Sequence, residues 1–159
     1  MPDEIYVELG KLAASAGQIE FHLFGMVHDL LQSPVPGISI TNAVARDLSF
    51  NQTANLVQRL LEATFDAKGV EVRRFKAWRK EADKFMERRN SLLHATWMST
   101  GDDPPVPVQR KNMKVQLDFD LDDLRGANDR ARTVLDRAFV VAAEIQGKLR
   151  SAKLSQPPA

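Results

Sequence analysis

The stretch ERRNSLLHATW, residues 87–97, decides how the rest of the chain is interpreted. It ends a long helical pattern whose apolar positions recur every three or four residues, at Phe75, Trp78, Ala82, Phe85, Leu92 and Thr96. Arg89 falls near the centre of this apolar stripe, where an unpaired guanidinium is costly to bury and cannot lose its charge. The fold must therefore give Arg89 a carboxylate partner, or the stripe must open onto a polar cleft.

Two further polar residues lie beside Arg89 in the same stretch. Asn90 and His94 are four residues apart, so they are neighbours on the flank of the stripe if the segment is helical. A cation, an amide and an imidazole are thus predicted to cluster on a surface that would otherwise be plain core.

A first helix is predicted from about Asp3 to Leu31. One face of it carries Leu9, Ala13, Ala16, Leu23, Phe24, Val27 and Leu31, and Glu20 is expected in the middle of that face. The prolines and glycine of residues 34–37 predict a turn after it.

The next segments are shorter and less regular. Thr41 or Asn42 is a candidate N-cap for a short helix, and Ser49 or Asn51 for a longer helix whose apolar positions extend to Phe65. A third long helix, from about Val72 to Ala95, carries the stretch that contains Arg89.

The last third of the chain predicts a loop, a short strand and a final helix. Residues 114–119 alternate apolar and polar side chains, and Thr96 to Ser99 is a candidate partner strand. Asp120, Asp122 and Asp123 favour a helix start, and the apolar spacing continues to about Arg150.

The predicted fold is an all-α bundle of four main helices with a small β-hairpin before the last helix. Residues 1–150 form one domain, and residues 151–159 a flexible tail.

Composition places the chain among ordinary soluble proteins. It has 159 residues, 43% hydrophobic and 27% charged, with a net charge of +1 that gives no global attraction to nucleic acid or membrane. The absence of cysteine fits a reducing compartment. No apolar run has the length of a membrane span, and the acidic N-terminal residues do not suit a signal peptide. We therefore expect a cytoplasmic protein with no membrane association.

Metal and nucleotide sites are not predicted. His22 and His28 are six residues apart, which is poor spacing for a metal on a helix, and no glycine-rich phosphate loop is present. The acidic residues of positions 118–123 lack the glycine and terminal glutamate of a calcium loop, so solvated acids at a helix N-terminus are the favoured interpretation. No cofactor is expected.

The sequence Arg89-Asn90-x3-His94 resembles the signature of the HEPN superfamily of ribonucleases. That signature is an arginine followed directly by a polar residue, with a histidine after a short gap, and Trp97 beyond the histidine is also similar to many members. The acidic Glu20 within the first helix and the all-helical pattern agree with the resemblance. It covers about nine residues as a motif and roughly residues 5–150 as an architecture.

The resemblance implies metal-independent cleavage of RNA by attack of the 2′-hydroxyl on the adjacent phosphate. His94 would exchange protons, because histidine does so near neutral pH. Arg89 would stabilise the phosphate in the transition state, and Asn90 would orient His94 or hold a phosphate oxygen. Glu20 would support Arg89. Family members of this kind form homodimers with two motifs facing one cleft, and serve in toxin–antitoxin and phage-defence systems beside an antitoxin or nucleotidyltransferase.

Two alternatives remain at this point. Arg89 pairs with Glu20 inside the bundle and His94 is an ordinary helix-end histidine, or the domain is a non-catalytic module that binds a protein, nucleotide or RNA. If RNA binds, the candidate contacts along its path are Arg73, Lys80, Lys84, Arg88, Trp97, Lys111 and Lys114. Most basic residues of the third helix are interleaved with acids, so a solvated face is the favoured interpretation for them.

Overall fold

The computed structural model describes residues 3–31, 40–94, 96–98, 106–108 and 120–154. Within these ranges the chain forms a bundle of five helices and one pair of short strands. The elements are α1 (Asp3–Leu31), α2 (Ile40–Ala45), α3 (Phe50–Thr64), α4 (Val70–Leu93), β1 (Thr96–Met98), β2 (Val106–Val108) and α5 (Leu121–Leu154). The all-α bundle predicted from the sequence is thereby confirmed.

The two longest helices, α1 and α5, pack along each other, and α4 and α3 complete the bundle around them. The core contains the predicted stripe of α4, with Phe75, Trp78, Ala82, Phe85 and Leu92 all buried. The Trp78 indole also donates a hydrogen bond of 2.9 Å to the carbonyl of Val134, which satisfies its buried N–H and joins α4 to α5.

The helices α4 and α5 run antiparallel, and a ladder of ion pairs joins their exposed edges. The residue numbers of the partners increase along α4 and decrease along α5. The pairs are Glu71 with Lys148, Arg74 with Glu144, Glu81 with Arg137, and Arg88 with Asp123. Each pair is at least partly exposed, so each contributes little stability on its own. The ladder shows which side chains of the two helices lie opposite one another.

Two helix starts are capped as their sequences suggest. Ser49 caps α3 in a capping box, in which the Gln52 side chain accepts the Ser49 N–H at 2.9 Å. At α5, the Asp120 carboxylate accepts the N–H of Asp123 at 2.9 Å, and the Asp123 carboxylate accepts the N–H of Asp120 at 3.2 Å. Acids at this position therefore act as helix caps, which is the interpretation that the sequence favoured.

Several element bounds differ from the prediction. The first helix ends at Leu31 as expected, but α5 continues to Leu154, so the first four residues of the predicted tail are helical. The strand β1 pairs antiparallel with β2, with Trp97 opposite Pro107. For Thr96 to Ser99 the sequence suggests residues 114–119 as the partner strand. That predicted strand, and residues 155–159 of the predicted tail, lie outside the described residues.

Of the helices in the described ranges, none combines the length and the apolar character required to cross a membrane.

Candidate active site

The Arg89–His94 motif occupies the last turn of α4. The helix ends at Leu93, and His94 is its C-cap residue, with φ −91° and ψ −2° and its N–H donated to the carbonyl of Asn90 at 3.0 Å. The His94 side chain is exposed. Among the described residues it has no hydrogen-bond partner, so its imidazole is accessible to a ligand.

Arg89 is partly buried and has no carboxylate partner in the described part of the chain. Its Nη1 donates to the Asn90 side-chain oxygen at 2.7 Å, and its Nε is buried with no hydrogen-bond partner. A buried guanidinium N–H without an acceptor carries a desolvation penalty. Asn90 therefore orients Arg89, while at least one donor of the guanidinium remains unused.

Arg89 opens onto a cavity of about 680 Å³ between α1, α3 and α4, which we call the Arg89 cleft. Polar side chains provide most of its wall. The lining residues are Glu20 of α1, Ser49, Phe50, Asn51 and Asn55 at the start of α3, and Arg79, Asp83, Met86, Glu87, Arg89 and Asn90 of α4. The apolar stripe thus opens onto a polar cleft, one of the two outcomes that the position of Arg89 required.

The charges lining the Arg89 cleft nearly balance. Three carboxylates, Glu20, Asp83 and Glu87, face two guanidinium groups, which leaves a net charge of −1. Arg79 is engaged, because it donates to Gln58 at 3.0 Å and lies 3.7 Å from Asp83. Arg89 is therefore the cation of this lining that has no ion pair among the described residues.

Glu20 does not occupy the position that the sequence predicted. It is exposed, whereas its neighbours Ile19 and Leu23 are fully buried. Because α1 packs against several helices, its buried face is centred on Leu12, Ile19 and Leu23 rather than on the column that contains Glu20. Glu20 and Arg89 line one cleft but form no ion pair among the described residues. The prediction of a buried Glu20–Arg89 ion pair is therefore wrong.

The structure brings Arg89 and Asn90 together and leaves His94 outside the cleft lining. His94 lies one helical turn beyond Asn90, to which it is joined by the backbone hydrogen bond of the C-cap. Sequence reasoning missed Asp83, Glu87, Asn51 and Asn55. The sequence did contain a signal for Asp83 and Glu87. They precede Asn90 by seven and three residues, so all three lie on one face of α4.

The residues predicted to contact RNA do not share one surface of the protein. Lys84 and Arg88 line a separate groove between α4 and α5, Lys80 is exposed without an ion pair among the described residues, and Arg73 donates to the Lys68 carbonyl. Trp97 lies in β1, opposite Pro107. Lys111 and Lys114 lie outside the described residues.

Other basic residues of α4 pair with acids, as the solvated-face interpretation expects. Lys76 lies 2.8 Å from Glu62 of α3, and Arg74 pairs with Glu144 of α5. These side chains join α4 to its neighbours, so they are structural contacts rather than candidate RNA contacts.

No protein-family model, curated protein or solved structure matches this chain. The interpretation of the site therefore rests on its own residues and geometry.

Proposed function

We propose that this protein is a metal-independent endoribonuclease of the toxin or phage-defence type, built on a HEPN-like helical bundle. The observation that carries the proposal is the state of Arg89, a partly buried guanidinium that opens onto a polar cleft with an unused donor and no carboxylate partner among the described residues. A purely structural arginine in an apolar stripe would be expected to have its charge paired.

The proposed reaction uses groups that the chain itself supplies. The 2′-hydroxyl of one nucleotide attacks the phosphorus on its 3′ side while the bond to the 5′-oxygen of the next nucleotide breaks. The products are a 2′,3′-cyclic phosphate and a 5′-hydroxyl. His94 accepts the proton from the 2′-hydroxyl or donates one to the departing 5′-oxygen. Arg89 donates to the phosphate oxygens as their charge increases, and Asn90 keeps the guanidinium in place.

One histidine performs one of these two proton transfers, and His94 lies outside the cleft of its own chain. We therefore include a homodimer in the proposal, in which His94 of a second copy completes the site. Support comes from an exposed aromatic cluster, in which the His22 ring contacts Phe21 and Phe139 at centroid distances of 6.2 and 6.4 Å. Phe21 is 73% exposed, which is typical of an interaction surface.

The second candidate function is a non-catalytic module that binds a protein, nucleotide or RNA. It is favoured by the net negative lining of the Arg89 cleft, which does not attract a phosphate, and by the position of His94 outside that lining. Partners such as an antitoxin or a nucleotidyltransferase fit either candidate.

The test measures RNA cleavage in EDTA by the wild type and by His94→Ala. Loss of a proton-transfer group slows such reactions about 10²–10⁴-fold, so we expect a loss of that size. Because His94 is exposed, its replacement should change the free energy of unfolding by less than about 0.5 kcal/mol. His28→Ala is the matched control, since it removes an exposed histidine of α1 that lies outside both the Arg89 cleft and the aromatic cluster, and it should leave the cleavage rate unchanged.

Equal cleavage by the wild type and His94→Ala would contradict the proposal, because the activity would then arise from another group or a contaminant. If the wild type cleaves neither structured nor unstructured RNA, the binding module becomes the better account.

A further inference from the structure

A second cavity, which we call the α4–α5 groove, has a volume of about 330 Å³ and shares no lining residue with the Arg89 cleft. Its floor is apolar, formed by the buried side chains of Phe85, Ala127 and Val134. These three side chains belong to the core between the two helices.

The charges around the α4–α5 groove are strongly biased. Lys84, Arg88, Arg130 and Arg137 line it together with one carboxylate, Glu81, which leaves a net charge of +3. The whole chain carries +1, and the lining of the Arg89 cleft carries −1. Positive charge is therefore concentrated in this groove.

The ion-pair ladder between α4 and α5 explains which of these cations are available. Arg137 is paired with Glu81, and Arg88 lies 3.2 Å from Asp123. Between these two pairs the groove contains Lys84 on α4 and Arg130 on α5. Both are exposed, and neither has an ion pair or hydrogen bond among the described residues.

This position in the ladder is unusual because both helices contribute a cation. Like charges that face each other across two packed helices repel, and exposure reduces the cost but does not reverse its sign. An anion between Lys84 and Arg130 converts the repulsion into two favourable contacts. A phosphate fits this arrangement, since guanidinium and ammonium groups are its usual protein ligands.

We propose that the α4–α5 groove binds a backbone phosphate of the single-stranded RNA substrate through Lys84 and Arg130. This inference rests on the proposed function and adds the path of the strand. Arg88 lines the groove and the next residue, Arg89, lines the cleft, so the last turns of α4 separate the two. A strand crossing that part of α4 places one phosphate in the groove and another near Arg89, where His94 of the second copy completes the site.

The test uses a short 2′-O-methyl RNA, which the proposed reaction cannot cleave because its 2′-oxygen is blocked. Binding is measured by fluorescence anisotropy over a series of salt concentrations. For the Lys84→Ala/Arg130→Ala double variant we expect Kd to increase about tenfold, and the slope of log K against log salt to shrink by about 1, as counterion release predicts for lost phosphate contacts.

The control removes the same charge elsewhere. Arg59 of α3 and Arg132 of α5 are exposed and do not line the groove, so Arg59→Ala/Arg132→Ala should keep the wild-type Kd to within about twofold. An equal effect of both double variants would overturn the proposal, because binding would then depend on overall charge alone. So would unchanged binding in the groove variant, or no binding by the wild type.

A charge reversal separates binding from stability. Arg130→Glu places a carboxylate opposite Lys84, so the melting temperature should stay the same or rise while RNA affinity falls more than in Arg130→Ala. Arg132→Glu should lower affinity less. A fall in both affinity and melting temperature for Arg130→Glu would mean that Arg130 has a structural role, and would overturn the proposal.

Failure of this proposal is distinguishable from failure of the proposed function. A protein that binds the 2′-O-methyl RNA through the groove but cleaves no RNA retains the groove site and loses the nuclease. A protein that cleaves RNA through His94 and binds equally well without Lys84 and Arg130 retains the nuclease and loses the groove site.

Discussion

Arg89 differs from three other arginines of α4, each of which lies near a carboxylate. Arg74 pairs with Glu144, Arg79 lies near Asp83, and Arg88 lies near Asp123. Arg89 has the Asn90 amide oxygen as its hydrogen-bond acceptor in the described residues, and its Nε is buried without one. Sequence reasoning identified Arg89 because a charge in an apolar stripe is visible in the pattern.

The same reasoning failed at Glu20 for a physical reason. In a helix of 29 residues that packs against several neighbours, two adjacent columns both contain apolar residues. The pattern alone does not tell which column faces the core, because the apolar residues between the two columns fit either of them. The structure places Glu20 at the exposed edge and Ile19 in the core.

This position of Glu20 gives a stability prediction. An exposed, unpaired carboxylate contributes little, so Glu20→Ala should change the free energy of unfolding in urea by less than about 0.5 kcal/mol. Glu8→Ala in the same helix is the comparison, because Glu8 accepts hydrogen bonds of 2.7 Å from Lys11 and from Asn128, and should cost about 1 kcal/mol. A loss of about 3–5 kcal/mol for Glu20→Ala would instead indicate a buried ion pair.

At the scale of the elements, local signals predicted most helix ends well. Ser49 and Asp120 cap α3 and α5 through hydrogen bonds that their sequence neighbours make available. The strand β2 was not predicted because it contains Pro107, and proline lacks the N–H of a regular ladder. Among the described residues each of these two strands has one edge without a partner, and such an edge tolerates a proline that would disrupt a central strand.

Two helix glycines, one with open space around it and one in a crowded position, give a prediction about stability. A Cβ at Gly147 of α5 meets nothing within 4 Å, so Gly147→Ala should stabilise the protein by about 1 kcal/mol through helix propensity. A Cβ at Gly69, the N-cap of α4, would lie 2.7 Å from the Asp66 carbonyl oxygen, so Gly69→Ala should destabilise it. Thermal unfolding checks both, and the same sign for the two variants would contradict this view of the backbone.

At the scale of the whole molecule, the sequence predicted a helical bundle but not how the helices combine into a site. The Arg89 cleft includes Ser49 and Asn51 from α3, about 40 residues before Arg89, and the α4–α5 groove combines Lys84 with Arg130. Periodicity assigns a face to each helix separately. Which faces meet is determined by packing of all helices together, so Asn51 and Asn55 of α3 and Arg130 of α5 were missed.

The proposed homodimer gives a prediction for the assembly. Light scattering after size exclusion should give about twice the chain mass of 17.8 kDa. Phe21→Glu should yield a monomer, because the exposed cluster around Phe21 adjoins a groove that shares Glu20 and Phe50 with the Arg89 cleft. Val70→Glu, at an exposed position at the start of α4, should remain dimeric. A wild-type monomer at micromolar concentration would contradict the proposal that His94 of a second copy completes the site.

The chemistry of the RNA ends tests the central claim most directly. The wild type is incubated in EDTA with an RNA, the cleaved position is mapped, and the products are analysed by mass spectrometry. The same RNA is then made with a 2′-deoxynucleotide on the 5′ side of that position. The proposed reaction predicts 2′,3′-cyclic phosphate and 5′-hydroxyl ends from the first RNA, and no cleavage at that position in the second. Ends with a 5′-phosphate and a 3′-hydroxyl, or equal cleavage of the deoxy-substituted RNA, would contradict attack by the 2′-hydroxyl.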